Sequence, residues 1–161
     1  MTQPRVRVAG ALVALAALLG LTACSPAEKP VSALRVVDGQ PALVLAQCSV
    51  FTADRISVST TDATPSESWT IDRGGATEVT AVTLLQPPSG WTVGEQSLVA
   101  LKPDVEYALA ASGRQNDAET VHFTLAEVTG LGPEQVLVGD GGSKRKAVTE
   151  TAFRDRAKKV C

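Results

Sequence analysis

The stretch Leu101-Lys102-Pro103-Asp104-Val105-Glu106-Tyr107-Ala108-Leu109-Ala110-Ala111 changes character at its centre. Pro103 fixes its own φ and lacks an N–H, and Asp104 favours a turn, so residues 101–104 punctuate the chain. Beyond them Val105, Tyr107, Leu109 and Ala111 alternate with Glu106, Ala108 and Ala110. That two-residue period predicts a strand with one buried face.

The same pattern extends outward in both directions. Short runs rich in Val, Thr, Ile and Leu predict strands at residues 34–37, 42–50, 56–60, 69–72, 78–85, 97–101, 105–111, 120–125 and 135–138. Asp38-Gly39, Arg73-Gly74-Gly75, Pro87-Pro88-Ser89-Gly90 and Gly139-Asp140-Gly141-Gly142 separate them as turns. Regular spacing without long intervening helices predicts an all-β sandwich and not a parallel α/β sheet. Only the C-terminus changes period: Val148, Ala152, Phe153, Ala157 and Val160 share one side of a short amphipathic helix expected over 147–160.

The Leu101, Pro103 and Tyr107 pattern resembles the corner between strands E and F of fibronectin type III and other immunoglobulin-like sandwiches. The resemblance covers about 11 residues. It implies an immunoglobulin-like fold in which the Tyr107 ring packs in the core and its hydroxyl bonds to upstream backbone, stabilising a crossing between sheets. Residue 109 is Leu and not Cys, so the intersheet disulfide of antibody domains is missing and Cys48 needs another partner.

The chain has 161 residues, room for about one domain. His122 is the one histidine and Met1 the one methionine, which argues against zinc or copper sites built from several such ligands. At the N-terminus Arg5 and Arg7 precede an uncharged run over residues 8–20, the layout of a secretory signal. The run is shorter than the roughly 20 residues that a permanent span requires. Leu21-Thr22-Ala23-Cys24 follows, and it resembles the lipobox of bacterial lipoproteins. The resemblance implies cleavage after residue 23 and covalent diacylglycerol and fatty acyl groups on Cys24, with no other cofactor. Each buried methylene contributes about 0.8 kcal/mol, so two or more chains anchor stably where one does not. Residues 24–32 then form the lipidated tether and 33–161 the folded domain.

With Cys24 lipidated, Cys48 and Cys161 remain, and an exported protein sits where disulfides persist. They are expected to pair, and the C-terminal helix to be stapled to the strand carrying Cys48. After cleavage 13 basic and 17 acidic residues are left, distributed unevenly. The segment 144–161 carries +5 and the remainder −9. The basic segment reads foremost as a solvated or docked helix face, and contact with anionic headgroups is the alternative. Nucleic acid is not an expected partner outside the cell.

Chemistry is sparse. His122 shares one strand face with Thr120 and Thr124, toward solvent, and a general base there lacks an evident nucleophile and orienting acid. Gly139-Asp140-Gly141-Gly142-Ser143-Lys144-Arg145 lacks the Gly-Lys-Ser/Thr ending of a phosphate loop and reads as a strand-to-helix connection. Trp91, just after a Pro-Pro-Ser-Gly turn, is the candidate binding aromatic. The expectation is a non-enzymatic, extracytoplasmic lipoprotein of the cell membrane, held by its lipid anchor and binding a protein or envelope component. A small-ligand carrier with a pocket between sandwich and C-terminal helix is the alternative. A hydrolase using His122 is the least favoured reading.

Overall fold

The computed structural model describes residues 28–161, so the leader expected over 1–23 and the lipidation site Cys24 lie outside the described residues. β1 (Ser32–Val37) and β2 (Gln40–Leu45) form a hairpin through Asp38 and Gly39, whose φ values of 51° and 78° are both positive. Such a two-residue loop matches the twist of its strands, and Asp-Gly supplies the left-handed conformations at low cost. β3 (Arg55–Thr60), β4 (Ser68–Asp72), β5 (Ala81–Thr83), β6 (Thr92–Gln96), β7 (Glu106–Ser112) and β8 (Val121–Thr124) follow. A short helix α1 (Leu125–Thr129), β9 (Gln135–Gly139), β10 (Arg145–Thr149) and helix α2 (Glu150–Lys158) complete the described chain.

The strands build two antiparallel five-stranded sheets, ordered β10-β9-β1-β2-β5 and β6-β4-β3-β7-β8. The molecule is therefore an all-β sandwich with a short C-terminal helix. In the second sheet β7 lies between β3 and β8, the order in which strands C, F and G meet in immunoglobulin-like sandwiches. Strand alternation fills the space between the sheets: Ile56, Val58, Trp69, Ile71, Tyr107, Leu109, Val121 and Phe123 face inward and are fully buried. Leu34, Leu43 and Val136 meet them from the first sheet.

Tyr107 is buried, with its hydroxyl accepting a hydrogen bond from the Lys102 N–H at 2.7 Å and its ring 5.4 Å from that of Phe123. Pro103 is exposed at the turn and Leu101 is half-buried against the core. The connection differs from the one the resemblance implies. β6 and β7 belong to the same sheet, separated by β4 and β3, so residues 97–105 run across one sheet end and do not pass between sheets.

Several boundaries also differ from expectation. β2 stops at Leu45, because the chain leaves the sheet before Cys48. Only Ala81–Thr83 of the run 78–85 is paired. Residues 97–101 form no strand; the strand lies just upstream as β6, whose five residues are all exposed and so carry no apolar alternation. The helix expected from 147 begins at Glu150, capped by Thr149, whose Oγ1 accepts from the Ala152 N–H at 3.2 Å. Residues 145–149 pair instead with β9. Lys29 already pairs with Ala118, so part of the expected tether belongs to the fold.

Candidate functional site

The chain joins the sandwich at one end, termed basal below. The Lys29 N–H donates to the Asp117 carbonyl at 2.9 Å, and the Lys29 carbonyl accepts from the Glu119 N–H at 2.7 Å. Strand direction brings the loops 46–54, 73–80, 112–118 and 140–144 to the same end. The opposite, apical end carries the Asp38-Gly39 turn, the loop 61–67, the Tyr107 turn and residues 130–134.

At the basal end Cys48 and Cys161 form a disulfide, with their Cα atoms 5.0 Å apart across 113 residues of sequence. Cys48 stands three residues past the end of β2, in an isolated bridge with Phe51, so α2 is stapled to a loop and not to a strand. The staple has packing beneath it. Phe153 and Ala157 are each 1% exposed, and Arg156 reaches Glu119 at 3.2 Å from the outer side.

The loops around the disulfide hold one another closely. Ser49 Oγ donates to the Cys161 carbonyl at 3.4 Å, and Asn116 Nδ2 donates to the Val50 carbonyl at 3.1 Å. At Gly113 an added Cβ would lie 2.6 Å from the Thr52 carbonyl oxygen, so this approach requires glycine. Two adjoining clefts result. One of about 330 Å³ runs beside Leu45, Cys48, Phe51 and Val79; its neighbour, about 420 Å³, is lined by Thr52, Asp54, Arg73 and Arg114. Asp54 pairs with Arg73 at 2.6 Å and with Arg114 at 3.5 Å.

The surface beside these clefts combines apolar and cationic groups. Val50 is 48% and Val160 37% exposed, and the disulfide holds their two segments together. Arg114 is exposed, while Lys144 and Lys159 have no ion-pair partner among the described residues. Glu28, Glu78 and Asp117 oppose them on the same end, with no ion-pair partner among the described residues, and leave it near neutrality. The apical end is different: Asp38, Asp62, Asp104 and Glu134 have no cationic partner there among the described residues.

The other singled-out residues lie elsewhere. Trp91 is 7% exposed within the core, its Nε1 donating to the Thr77 carbonyl at 3.2 Å, because the loop before it folds back over the sandwich edge. His122 is on the outer face of β8, yet its side chain is only 20% exposed because Arg145 and Glu106 cover it. Its Nδ1 lies 3.5 Å from Glu106 Oε1 and makes no hydrogen bond. Arg145 donates to that same oxygen at 2.9 Å and to Glu127 Oε1 at 2.9 Å. The glycine-rich loop connects β9 to β10, correcting the expected strand-to-helix link. Its Gly141 N–H donates to Glu119, and Asp140 pairs with Lys146 at 2.7 Å. Next to α2 the cleft of about 290 Å³ is polar, lined by Glu134, Thr149, Glu150 and Arg154.

Among the described residues no cluster of three or more metal-binding side chains occurs, and no helix is long and apolar enough to cross a membrane. The fold and site together define a β-sandwich domain with a disulfide-stapled C-terminal helix and a loop-built basal surface. Comparison with protein-family models, curated proteins and solved structures finds no match to this chain. Sequence reasoning had singled out both cysteines and the basic segment. Val50 and Arg114 carry no such signal in their loop sequences: the disulfide brings Val50 beside the C-terminal segment, and Asn116, bonded to the Val50 carbonyl, brings the loop of Arg114 beside it.

Proposed function

We propose that this chain is a lipid-anchored, extracytoplasmic binding domain without catalytic activity, recognising a protein or envelope component. The observation that carries the reading is Leu21-Thr22-Ala23-Cys24, set behind a charged start and an apolar run and only a few residues before the sandwich begins. Acyl chains on Cys24 would hold the basal end near the bilayer and leave the apical loops facing outward. Recognition then falls to those loops and to β6, which is exposed along its length and, among the described residues, pairs with β4 alone.

The first test is the intact mass of the membrane-extracted protein, with cell fractionation of a Cys24→Ser variant beside it. The expected product begins at Cys24 and carries diacylglyceryl and acyl mass, and the variant leaves the membrane fraction. A product weighing no more than its bare polypeptide overturns the anchor. Envelope pull-down against an unrelated lipoprotein then reads the binding role, and no enrichment counts against it. The carrier reading is supported by the 330 Å³ cleft beside Phe51 and Val79, at the disulfide and not beneath the helix. Native mass spectrometry without a co-purifying ligand argues against that reading.

A further inference from the structure

We infer that the basal patch formed by Val50, Val160, Lys159 and Arg114 is a membrane-contact surface that seats in the headgroup layer of an anionic bilayer. The inference rests on the anchored reading above, since it needs the basal end to be kept near lipid. Reach is the first argument. Ser25, Pro26 and Ala27 alone separate Cys24 from the described chain. At about 3.1 Å per residue, the span from Cys24 to Glu28 is about 12 Å. The tether therefore keeps Glu28, at the basal end, within a distance of the same order as the roughly 8 Å over which charge is felt at physiological salt.

Composition is the second argument. The disulfide gathers Val50 and Val160, two of the four large apolar side chains exposed among the described residues; of the others, Val93 lies on β6 and Val99 on the apical 97–105 connection. Beside them stand long cationic side chains: Lys159, next to Val160, is unpaired among the described residues, and Arg114, which shares a cleft with Val50, is exposed beyond its contact with Asp54. Apolar groups that enter the acyl boundary beneath Lys and Arg heads that stay at the phosphates form an interfacial binding pattern.

Polarity is the third argument. Glu28, Glu78 and Asp117 weaken the attraction of the basal end, so the orienting force is the contrast between ends. Asp38, Asp62, Asp104 and Glu134 make the apical end the one that an anionic surface repels. The anchor, the patch and the charge contrast all turn the molecule the same way, basal end down.

Hydrogen exchange on the lipidated protein reads this directly, in phosphatidylcholine vesicles with and without phosphatidylglycerol. Amides of residues 46–52, 113–117 and 158–161 are expected to exchange several-fold more slowly on the anionic vesicles. Amides of 61–67 and 102–105 are expected to be unchanged. Lys159→Ala, at an exposed position, is expected to lower the docked-to-undocked ratio about fivefold by removing one charge. Val50→Ser is expected to lower protection on both vesicle types. Equal exchange of the basal amides on the two vesicles, or protection at the apical loops, overturns the inference. Protection that is insensitive to lipid charge and to Lys159→Ala also overturns it, because the cationic side chains then contribute nothing to the seating. Mass spectrometry of the same sample separates the two failures: absent acyl groups sink the anchored reading, whereas an acylated protein with an unprotected patch sinks only this one.

Discussion

Tyr107 shows how one polar atom is accommodated inside an otherwise apolar interior. The ring is fully buried against Phe123, and the hydroxyl oxygen receives the Lys102 N–H at 2.7 Å across the turn. Removing the hydroxyl leaves that N–H without its acceptor while the ring packing persists. Tyr107→Phe is therefore expected to destabilise the fold by about 1 to 2 kcal/mol in denaturant unfolding, with an unchanged m-value. A loss under a few tenths of a kcal/mol would mean that water replaces the contact. Gly139 makes a complementary point, since an added Cβ would meet the Thr120 carbonyl oxygen at 2.5 Å. Gly139→Ala is expected to force β9 away from residues 119–120 and to cost more than Tyr107→Phe.

At the scale of elements, α2 depends on tertiary contacts. A nine-residue helix is too short to persist alone in water, so Phe153, Ala157 and the disulfide hold it. Closing a loop of 113 residues restricts the unfolded chain by about 4 to 5 kcal/mol in chain-entropy models. The double variant Cys48→Ser, Cys161→Ser is expected to lose a large part of that in thermal or denaturant unfolding. Exchange at 46–52 and 158–161 is expected to rise first, and an unaltered midpoint would refute this role. The cysteine pairing was legible because setting Cys24 aside as the expected lipidation site leaves two cysteines, Cys48 and Cys161. The strand at 105–111 was legible because period two survives wherever one face is buried. What escaped has physical causes. β6 is exposed on both faces, so burial wrote no pattern into Thr92 to Gln96. Val148 satisfies a helical period with Ala152 as readily as a strand period, and only pairing with β9 decides. Thr124 and Glu127 spell a capping box for α1, but five residues give too little periodicity to see. The nearness of the Arg114 loop to Val50 is a property of the folded chain, held by the Asn116 side chain on the Val50 carbonyl, and no local pattern encodes it.

Over the whole molecule the two sheets are tied at one flank by charge as well as by packing. Arg145, on the edge strand of the first sheet, reaches Glu106 of the second sheet and Glu127 of α1. Burial pushes the Glu127 carboxyl up, but Arg145 and the Thr124 N–H and hydroxyl outweigh it and hold the group below its ordinary range. At Glu150 the hydrogen bond from Arg154 lowers the carboxyl, burial opposes it and Arg35 adds to the lowering. A carboxylate depressed in the folded state contributes its stabilisation in full above the unfolded value of about 4.3 and loses it as pH falls through the folded value. The midpoint of unfolding is therefore expected to be nearly flat between pH 8 and 6 as far as these groups are concerned, and to fall below about pH 4.5. Arg145→Met removes the cation and keeps much of the apolar stem. Because Glu127 is 40% exposed, solvent screening limits the expected cost at pH 7 to about 1 kcal/mol. That cost should be smaller at pH 3 than at pH 7, because the stabilisation is lost as the carboxylates take up protons. Paired urea titrations at the two pH values measure the difference. If it is the same at both, Arg145 supports the sandwich through its stem rather than through its charge, and the electrostatic tie between the sheets is not what holds this flank.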